Sequence, residues 1–349
     1  MRPSAEEFAK RHTPTPAEEA AASRTVERAR EAARREGRIA GALRADLDRL
    51  ERSLEIALDL SRPLPAVPVR GRPSVGSKQA CPIFVASDWH VEERVLASHV
   101  NGLNEYGPEV ARKRAARWVE GCLWLLDTHR GGTRIDEAVL AIIGDMVTGF
   151  IHEEFVAGNA MLPTEAIEHA QELLHDSIVT LLRRAKLKAL RVVCSRGNHG
   201  RTTKKTWIGS AARMSYEWLM YRSLARRFAG DRRVTFTIED GYHTYVPVFD
   251  KVVRFHHGDA VSYQGGVGGV TIPLNKHIAR TNATRWADLD VIGHFHQLTR
   301  GRAFVVNGSL IGFNDFAAWI GASIEPPQQA FVLMRPERGA CDFAPVFAT

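Results

Sequence analysis

Apolar positions change rhythm twice along this chain. From residue 17 to about 60 they recur at alternating steps of three and four: Ala22, Val26, Ala29, Ala33, Ala40, Leu43, Leu47, Leu50, Leu54 and Ala57. Only Glu36 breaks the seam. The spacing predicts one long charged helix with a coiled-coil-like stripe. Alanine lines its first half, so packing there would be thin. Pairing between two chains and docking on the chain's own body both satisfy the pattern.

The stretch Arg62–Lys78 (RPLPAVPVRGRPSVGSK) is rich in Pro, Gly and Ser and sustains neither helix nor ladder. It reads as a linker, which divides the chain into an appendage (1–61), a linker (62–80) and a main body (81–349). From Cys81 onward short apolar runs alternate with helix-like segments at 109–130, 164–188 and 210–229. In the 164–188 segment Ile167, Ala170, Leu174, Ile178, Leu181 and Leu182 share a face, and Thr164 stands where an N-cap is expected. Beyond residue 233 strands crowd together, at 233–238, 243–249, 251–256, 289–293, 303–307 and 329–334. The alternation argues for an α/β body, with a second sheet packed on the first.

Five of the runs end in chemistry. PIFVA leads into Ser87-Asp88-Trp89-His90, and AVLAII into Gly144-Asp145. LRVVCS leads into Arg196-Gly197-Asn198-His199, KVVRF into His256-His257-Gly258-Asp259, and LDVI into Gly293-His294-Phe295-His296. Functional groups in α/β sheets collect beyond the carboxyl ends of strands. Any one of these has a bland reading: Gly144-Asp145 as a turn, or Asn198 as a left-handed turn residue. Five in series point to one convergent site. His294 and His296, at i and i+2 on extended backbone, would point the same way and suit a metal. Imidazoles, carboxylates and an amide oxygen favour Mn2+, Fe2+ or Zn2+ over calcium, and the lack of thiolates argues against structural zinc. Seven such ligands exceed one tetrahedral ion and fit two ions sharing a carboxylate.

The order Asp-x-His, Gly-Asp, Gly-Asn-His, His-Gly and Gly-His-x-His, spanning roughly Pro82 to Leu310, resembles the calcineurin-like metallophosphoesterase superfamily. The resemblance implies a sandwich of two packed mixed β-sheets flanked by helices, with two metals at the strand ends. Asp88, His90 and His296 would hold one ion; Asn198, His257 and His294 the other; Asp145 would bridge them. Manganese is the expected metal. His199 would be the histidine that faces the substrate phosphate, and hydroxide held between the ions would attack phosphorus in line. Two features depart from the pattern or leave it open. Gly200 stands where the family commonly carries Asp or Glu, which removes a carboxylate able to orient His199. His256 competes with His257, and His257 is preferred because it directly precedes the glycine, leaving His256 as a packed or supporting histidine.

Charge bears on the substrate. The whole chain of 349 residues carries +7, yet between Arg183 and Arg233 fifteen basic residues face only Glu217 and Asp231. Such a block favours a polyanion, with a solvated basic helix face as the bland alternative. Arg201, Lys204 and Lys205 follow His199 and would meet flanking phosphates, and Trp207, Tyr216, Trp218 and Tyr221 would stack on bases or fill a helix core. The long helix resembles the dimeric assembly of the superfamily's double-strand-break-repair nuclease branch, although it stands elsewhere in the chain. The expectation is a metal-dependent nuclease acting on DNA. A phosphatase or nucleotide phosphodiesterase, and a catalytically weak assembly protein, are the alternatives. The glycines at 265–269 lack the residues of a Walker loop and suit a flap. Lys276, His277 and Arg280 after it, and His99, His152 and Asn314, are further candidates. Cys81, Cys122, Cys194 and Cys341 show no paired spacing and read as buried thiols of a reducing compartment. With no run of membrane-spanning length and no apolar stretch after the first basic residue, the expectation is a cytoplasmic protein without a membrane partner.

Overall fold

The computed structural model describes residues 15–61, 78–262 and 269–349. The expected linker, apart from its last residues, and nearly all of the glycine-rich flap lie outside them. The chain divides into two units, Met1–Ser74 and Val75–Thr349. In the first, one helix, α1, runs from Pro16 to Ser61, and at about 1.5 Å per residue it is roughly 69 Å long. Its start is a capping box: the Thr15 hydroxyl accepts from the Glu18 amide, and the Glu18 carboxylate accepts from the Thr15 amide at 2.8 Å. Leu43, Leu47, Leu50 and Leu54, the leucines of the predicted seam, are all exposed.

The second unit holds two mixed sheets. The first has the order β11-β10-β1-β2-β3-β4. It comprises β1 (Cys81–Ala86), β2 (Glu137–Ile142), β3 (Ala189–Cys194), β4 (Val234–Ile238), β10 (Gln328–Arg335) and β11 (Gly339–Phe347). β1 to β4 are parallel, and β10 and β11 add antiparallel edges. The second has the order β5-β6-β7-β9-β8, built from β5 (Thr244–Val248), β6 (Lys251–Phe255), β7 (Leu289–Ile292), β8 (Thr299–Arg300) and β9 (Phe304–Val306).

Side-chain alternation explains the layering, because neighbours on a strand face opposite ways. Ile83, Val85, Val139, Ala141 and Val193 of the first sheet meet Val246, Val253, Phe255, Val291 and Val305 of the second in a core between the sheets. The intervening residues Phe84, Ala86, Leu140, Ile142 and Val192 face outward into a second core. That core is closed by three helices, α2 (Pro108–Arg130), α4 (Pro163–Arg184) and α5 (Tyr216–Arg227), while the short helix α3 spans Glu154–Gly158. α6 (Thr271–Asn282) covers the far face of the second sheet through Leu274 and Ile278, and the short helix α7 spans Asp315–Ile320. Burial on both faces is why the parallel strands read as continuous apolar runs.

Three local expectations are corrected. Thr164 is not the N-cap of α4: Leu162 is, with Pro163 at the first turn and the Glu165 carboxylate accepting from the Leu162 amide at 2.9 Å. That helix ends at Arg184, not 188, and the third helix begins at Tyr216 after a run of turns. No described helix is long and apolar enough to cross a membrane. The four cysteines are free, and all but Cys341 are buried.

Candidate metal centre

Register brings the motifs together. Ala86 pairs with Ile142 and Ile142 with Cys194, so β1, β2 and β3 end level. Phe255 pairs with Val291, which does the same for β6 and β7 in the second sheet. The loops beyond these five ends deliver Asp88, His90, Asp145, Asn198, His199, His257, His294 and His296 to one place.

Two donor groups form there. Asp88, His90 and His296 make one, and Asp145, His257 and His294 the other; within each, one ligand atom per residue lies within 4.8 Å of the others. Asn198 joins the second group, its Oδ1 lying 3.1 Å from Nε2 of His257. His257 Nε2 is 2.8 Å from Asp145 Oδ2, and His296 Nε2 is 3.3 Å from Asp88 Oδ1. His294 and His296 thus serve different groups. The extended backbone expected between them is not found: both are left-handed, with φ of 71° and 54°. Asp88, His90 and Asp145 share that conformation, at 56°, 47° and 49°. Left-handed backbone at a non-glycine residue costs about 1 kcal/mol or more. Five such residues in one site show a fold that over-determines where these side chains point. Asn198 does not join them.

The glycines of the motifs leave room for the same carboxylates. A Cβ on Gly197 would collide with the Asp145 carboxylate, and one on Gly293 with that of Asp88.

Supporting bonds orient the imidazoles. His257 Nδ1 donates to the Ile143 carbonyl at 2.9 Å, which turns Nε2 toward Asp145. His90 Nδ1 lies 3.0 Å from the Thr148 hydroxyl, which itself donates to Glu93 at 3.1 Å. His90 Nε2 is buried with no hydrogen-bond partner among the described residues. A buried orphan nitrogen costs the site free energy unless something with positive charge meets its lone pair. Asp88 accepts from the Ser87 hydroxyl at 2.5 Å and from the His294 amide at 3.1 Å; Asn307 and Gln329 brace Ser87 in turn.

Electrostatics makes the same demand for cations. Burial raises the Asp88 and Asp145 pKa values, yet His296 and His257 beside them win, and both carboxyls lie below the usual carboxylate range. Burial likewise opposes charge on His257, but Asp145 overrides it and lifts the imidazole to about 10. His294, half-buried and next to His257, falls to about 4 through desolvation and then the His257 charge. Two ionised carboxylates, imidazole nitrogens and an amide oxygen form the donor set that divalent transition ions take, with His257 and His296 giving up a proton to bind. The residues fit the group.

His199 stands at the rim. Its Nδ1 donates to the Thr148 carbonyl at 3.0 Å and its amide donates to Asp145 Oδ1 at 2.8 Å. The missing carboxylate at position 200 is therefore replaced by a backbone carbonyl. Gly200 leaves the space that Glu217 fills, since a Cβ there would press on the Glu217 side chain. Glu217, fully buried on α5, accepts from the Met146 and Gly197 amides at 2.6 Å each and holds the Asp145 and Asn198 loops together. Burial, then the nearby Asp145 charge, raises its pKa to about 8. Glu92 similarly accepts from the Thr148 and Gly149 amides, at 2.8 Å each. Sequence reasoning missed Glu92, Glu93, Thr148 and Glu217. They lie in loops or on a helix face with no motif to mark them.

The groups open onto a cavity of about 1380 Å3 whose lining includes His90, Asp145, His199, His294 and His296. His99, His152 and Asn314 line it as well; His99 pairs with Asp315 at 2.9 Å, and Asn314 donates to Glu93 at 2.8 Å. Arg201, Lys204 and Lys205 do not. The Arg201 guanidinium is spent on the carbonyls of Asn198, Thr203 and Lys204, while the two lysines are exposed. Four of the fifteen basic residues pair with acids from elsewhere in the chain: Arg184 with Glu120, Lys188 with Asp136, Arg191 with Glu137 and Arg213 with Asp240. Tyr221 is core, Trp218 donates to Asp240 at 3.1 Å under Arg222, and Trp207 is exposed.

No family model matches the chain, and no curated protein matches it. Among solved structures it is similar to vacuolar protein sorting 29 from Cryptosporidium parvum (12% identity, 76% of this chain and 97% of that one, TM-score 0.31). It is also similar to a hypothetical protein from Pyrococcus horikoshii (14%, 76% and 88%, TM-score 0.35). A third is a conserved protein described as a predicted phosphoesterase, from Streptococcus pneumoniae (11%, 76% and 98%, TM-score 0.29). Likeness at that level carries no functional argument, and the reading rests on the chain's own residues. The two mixed sheets flanked by helices, and the paired donor groups at their strand ends, are the arrangement that the motif resemblance implies.

Proposed function

We propose that this protein is a dinuclear metal-dependent phosphoesterase that hydrolyses phosphodiester bonds, with DNA as its substrate. The observation that carries the reading is the pair of carboxylate–imidazole groups side by side at the floor of one cavity, with an unsatisfied His90 nitrogen between its walls. Asp88, His90 and His296 would hold one ion, Asn198, His257 and His294 the other, and Asp145 both. Two divalent ions there, Mn2+ foremost and Fe2+ or Zn2+ in its place, would supply an activated water and neutralise charge on the phosphoryl oxygens.

The chain's own residues do the rest. His199, its Nδ1 tied to Thr148, presents Nε2 to the substrate, where the protonated ring would donate to a phosphoryl or leaving oxygen. Thr148 and Glu93 hold His90 in its tautomer. Phe316 and Trp319, 61% and 82% exposed where they line the cavity, offer faces on which bases can stack. Arg94 lies in the same wall, and Lys204 and Lys205 stand near His199 in sequence to meet flanking phosphates.

One observation favours a second reading, a phosphatase or nucleotide phosphodiesterase. Glu93, Asp315 and Glu325 also line the cavity, and acids there disfavour a long polyanion. Labelled single- and double-stranded DNA and bis-p-nitrophenyl phosphate, each incubated with protein and Mn2+ beside an Asp145→Ala control, separate the two. Metal-dependent DNA cleavage lost in the control supports the nuclease. Turnover of the small diester with DNA left intact sinks it in favour of the second reading.

A further inference from the structure

A second cluster of histidines lies outside the paired groups. His243 immediately precedes β5, His256 follows β6, and His277 sits on α6. One ring nitrogen from each falls within 4.8 Å of the other two. His256 and His257 are consecutive, and their rings diverge. His257 turns to Asp145 and Asn198, whereas His256 turns to Asp290, with Tyr242 and His277 against its ring.

Three details of the cluster are those of a cation cage. His243 Nε2 and His277 Nε2 are 3.4 Å apart. Two imidazole nitrogens on one tetrahedral zinc ion, each at about 2.0–2.1 Å from it, stand roughly 3.3 Å from each other. His256 is fully buried and its Nδ1 has no hydrogen-bond partner among the described residues, while its Nε2 lies 3.3 Å from Asp290 Oδ1. A ring with one nitrogen on a carboxylate and the other bare is the arrangement of a metal-bound histidine and its supporting acid. A hydrogen bond between His243 and His277 would satisfy two of the three rings and leave His256 orphaned; a cation would satisfy all three.

The charge balance agrees. Asp290 is paired through both oxygens to Arg254, at 2.6 and 2.9 Å, so the pair taken together is neutral. Burial, with the other histidines and Arg254 adding to it, lowers the His243 pKa to about 3, and His277 is lowered for the same first reason. Both rings are therefore neutral at pH 7. Neutral imidazoles offer lone pairs to a metal and little to an anion.

We propose that His243, His256 and His277 form a third metal site, a tri-histidine cage for a divalent cation of the zinc class that ties α6 to the second sheet. Imidazole-only donors suit Zn2+, Cu2+ or Ni2+ better than Mg2+ or Ca2+. Three protein ligands leave a fourth position for water. The site does not rest on the phosphoesterase reading.

Metal stoichiometry tests it. The full chain is equilibrated with Zn2+, desalted and assayed by plasma mass spectrometry beside His243→Gln and His277→Gln, both at partly exposed positions, with circular dichroism confirming the fold. Three ions per chain in the wild type and two in each variant is the expected result. One ion in the wild type and none in the variants would also support the cage, while showing that the paired groups bind no zinc. An unchanged stoichiometry in both variants, with wild-type dichroism, would overturn the proposal. If one variant fails to fold, the other gives the answer, because the two histidines lie on separate elements.

Discussion

Nδ1 of His199 donates to the backbone carbonyl of Thr148 at 3.0 Å, and this one bond defines which nitrogen His199 can offer a substrate. A carbonyl oxygen can only accept, so Nδ1 keeps its proton and Nε2 is the working atom. The loop that carries Thr148 also carries the hydroxyl that meets His90, so one residue orients a metal-facing ring and a substrate-facing ring together.

Because His199 lies in neither donor group, His199→Ala is expected to leave metal stoichiometry unchanged while lowering turnover on a small diester by about 10^2–10^4-fold, the range for a lost proton donor. Plasma mass spectrometry and initial rates on the same preparation read the two effects separately. Loss of metal in this variant would place His199 among the ligands instead.

Asp145 lies in the second donor group and is the proposed bridge to the first, so Asp145→Asn should release metal and abolish activity together. Chelation of the wild type should do the same reversibly, with Mn2+ restoring turnover. The chelated protein should also melt lower, because a ligand bound to the native state alone stabilises it. Activity that survives chelation would remove the metal from the reaction.

Glu217 gives the metal-free protein a pH signature. Its pKa rises from 4.5 unfolded to about 8 folded, first through burial and then through the Asp145 charge. Between those values the native state binds the extra proton, so the contribution of Glu217 to stability is fullest at low pH and declines as pH rises through about 8. Glu217→Gln lacks that titration. The stability advantage of the wild type over Glu217→Gln, from urea unfolding after chelation, should shrink steadily from pH 5 to pH 8. A gap that is flat across that range would contradict the assignment.

Arg254 and Asp290 form a fully buried pair beneath α6, with Arg254 also donating to Asn282 and the Arg285 carbonyl. Removing one partner strands the other in low dielectric. Asp290→Ala should cost about 3–5 kcal/mol, the range for a broken buried pair. Chemical denaturation checks this, and a cost under about 1 kcal/mol would mean that water reaches the guanidinium.

The exposed leucines of α1 carry a further expectation, that a second copy of the chain packs along them. Light scattering should then report a dimer, and Leu47→Asp together with Leu50→Asp should yield a monomer of unchanged helicity. A monomeric wild type at tens of micromolar would discard the pairing.

What the sequence by itself determined was the list of ends. Strands buried on both faces must be apolar throughout, so PIFVA, AVLAII, LRVVCS, KVVRF and LDVI stood out, and the polar residues after them could lie only at strand termini. The long helix was equally legible, because a three-four repeat over many turns has no other regular structure to satisfy. Tertiary structure alone decided the register that ends β1, β2 and β3 level, the left-handed turns that send His294 and His296 to different groups, and the service of Thr148 and Glu217. It also paired four residues of the basic block, since Glu120, Asp136, Glu137 and Asp240 reach it from distant segments. The physical reason is common to all of these. Periodicity reports which face of a local element is buried, whereas hydrogen bonds, ion pairs and ligand groups join residues tens to hundreds of positions apart, and only packing brings those together.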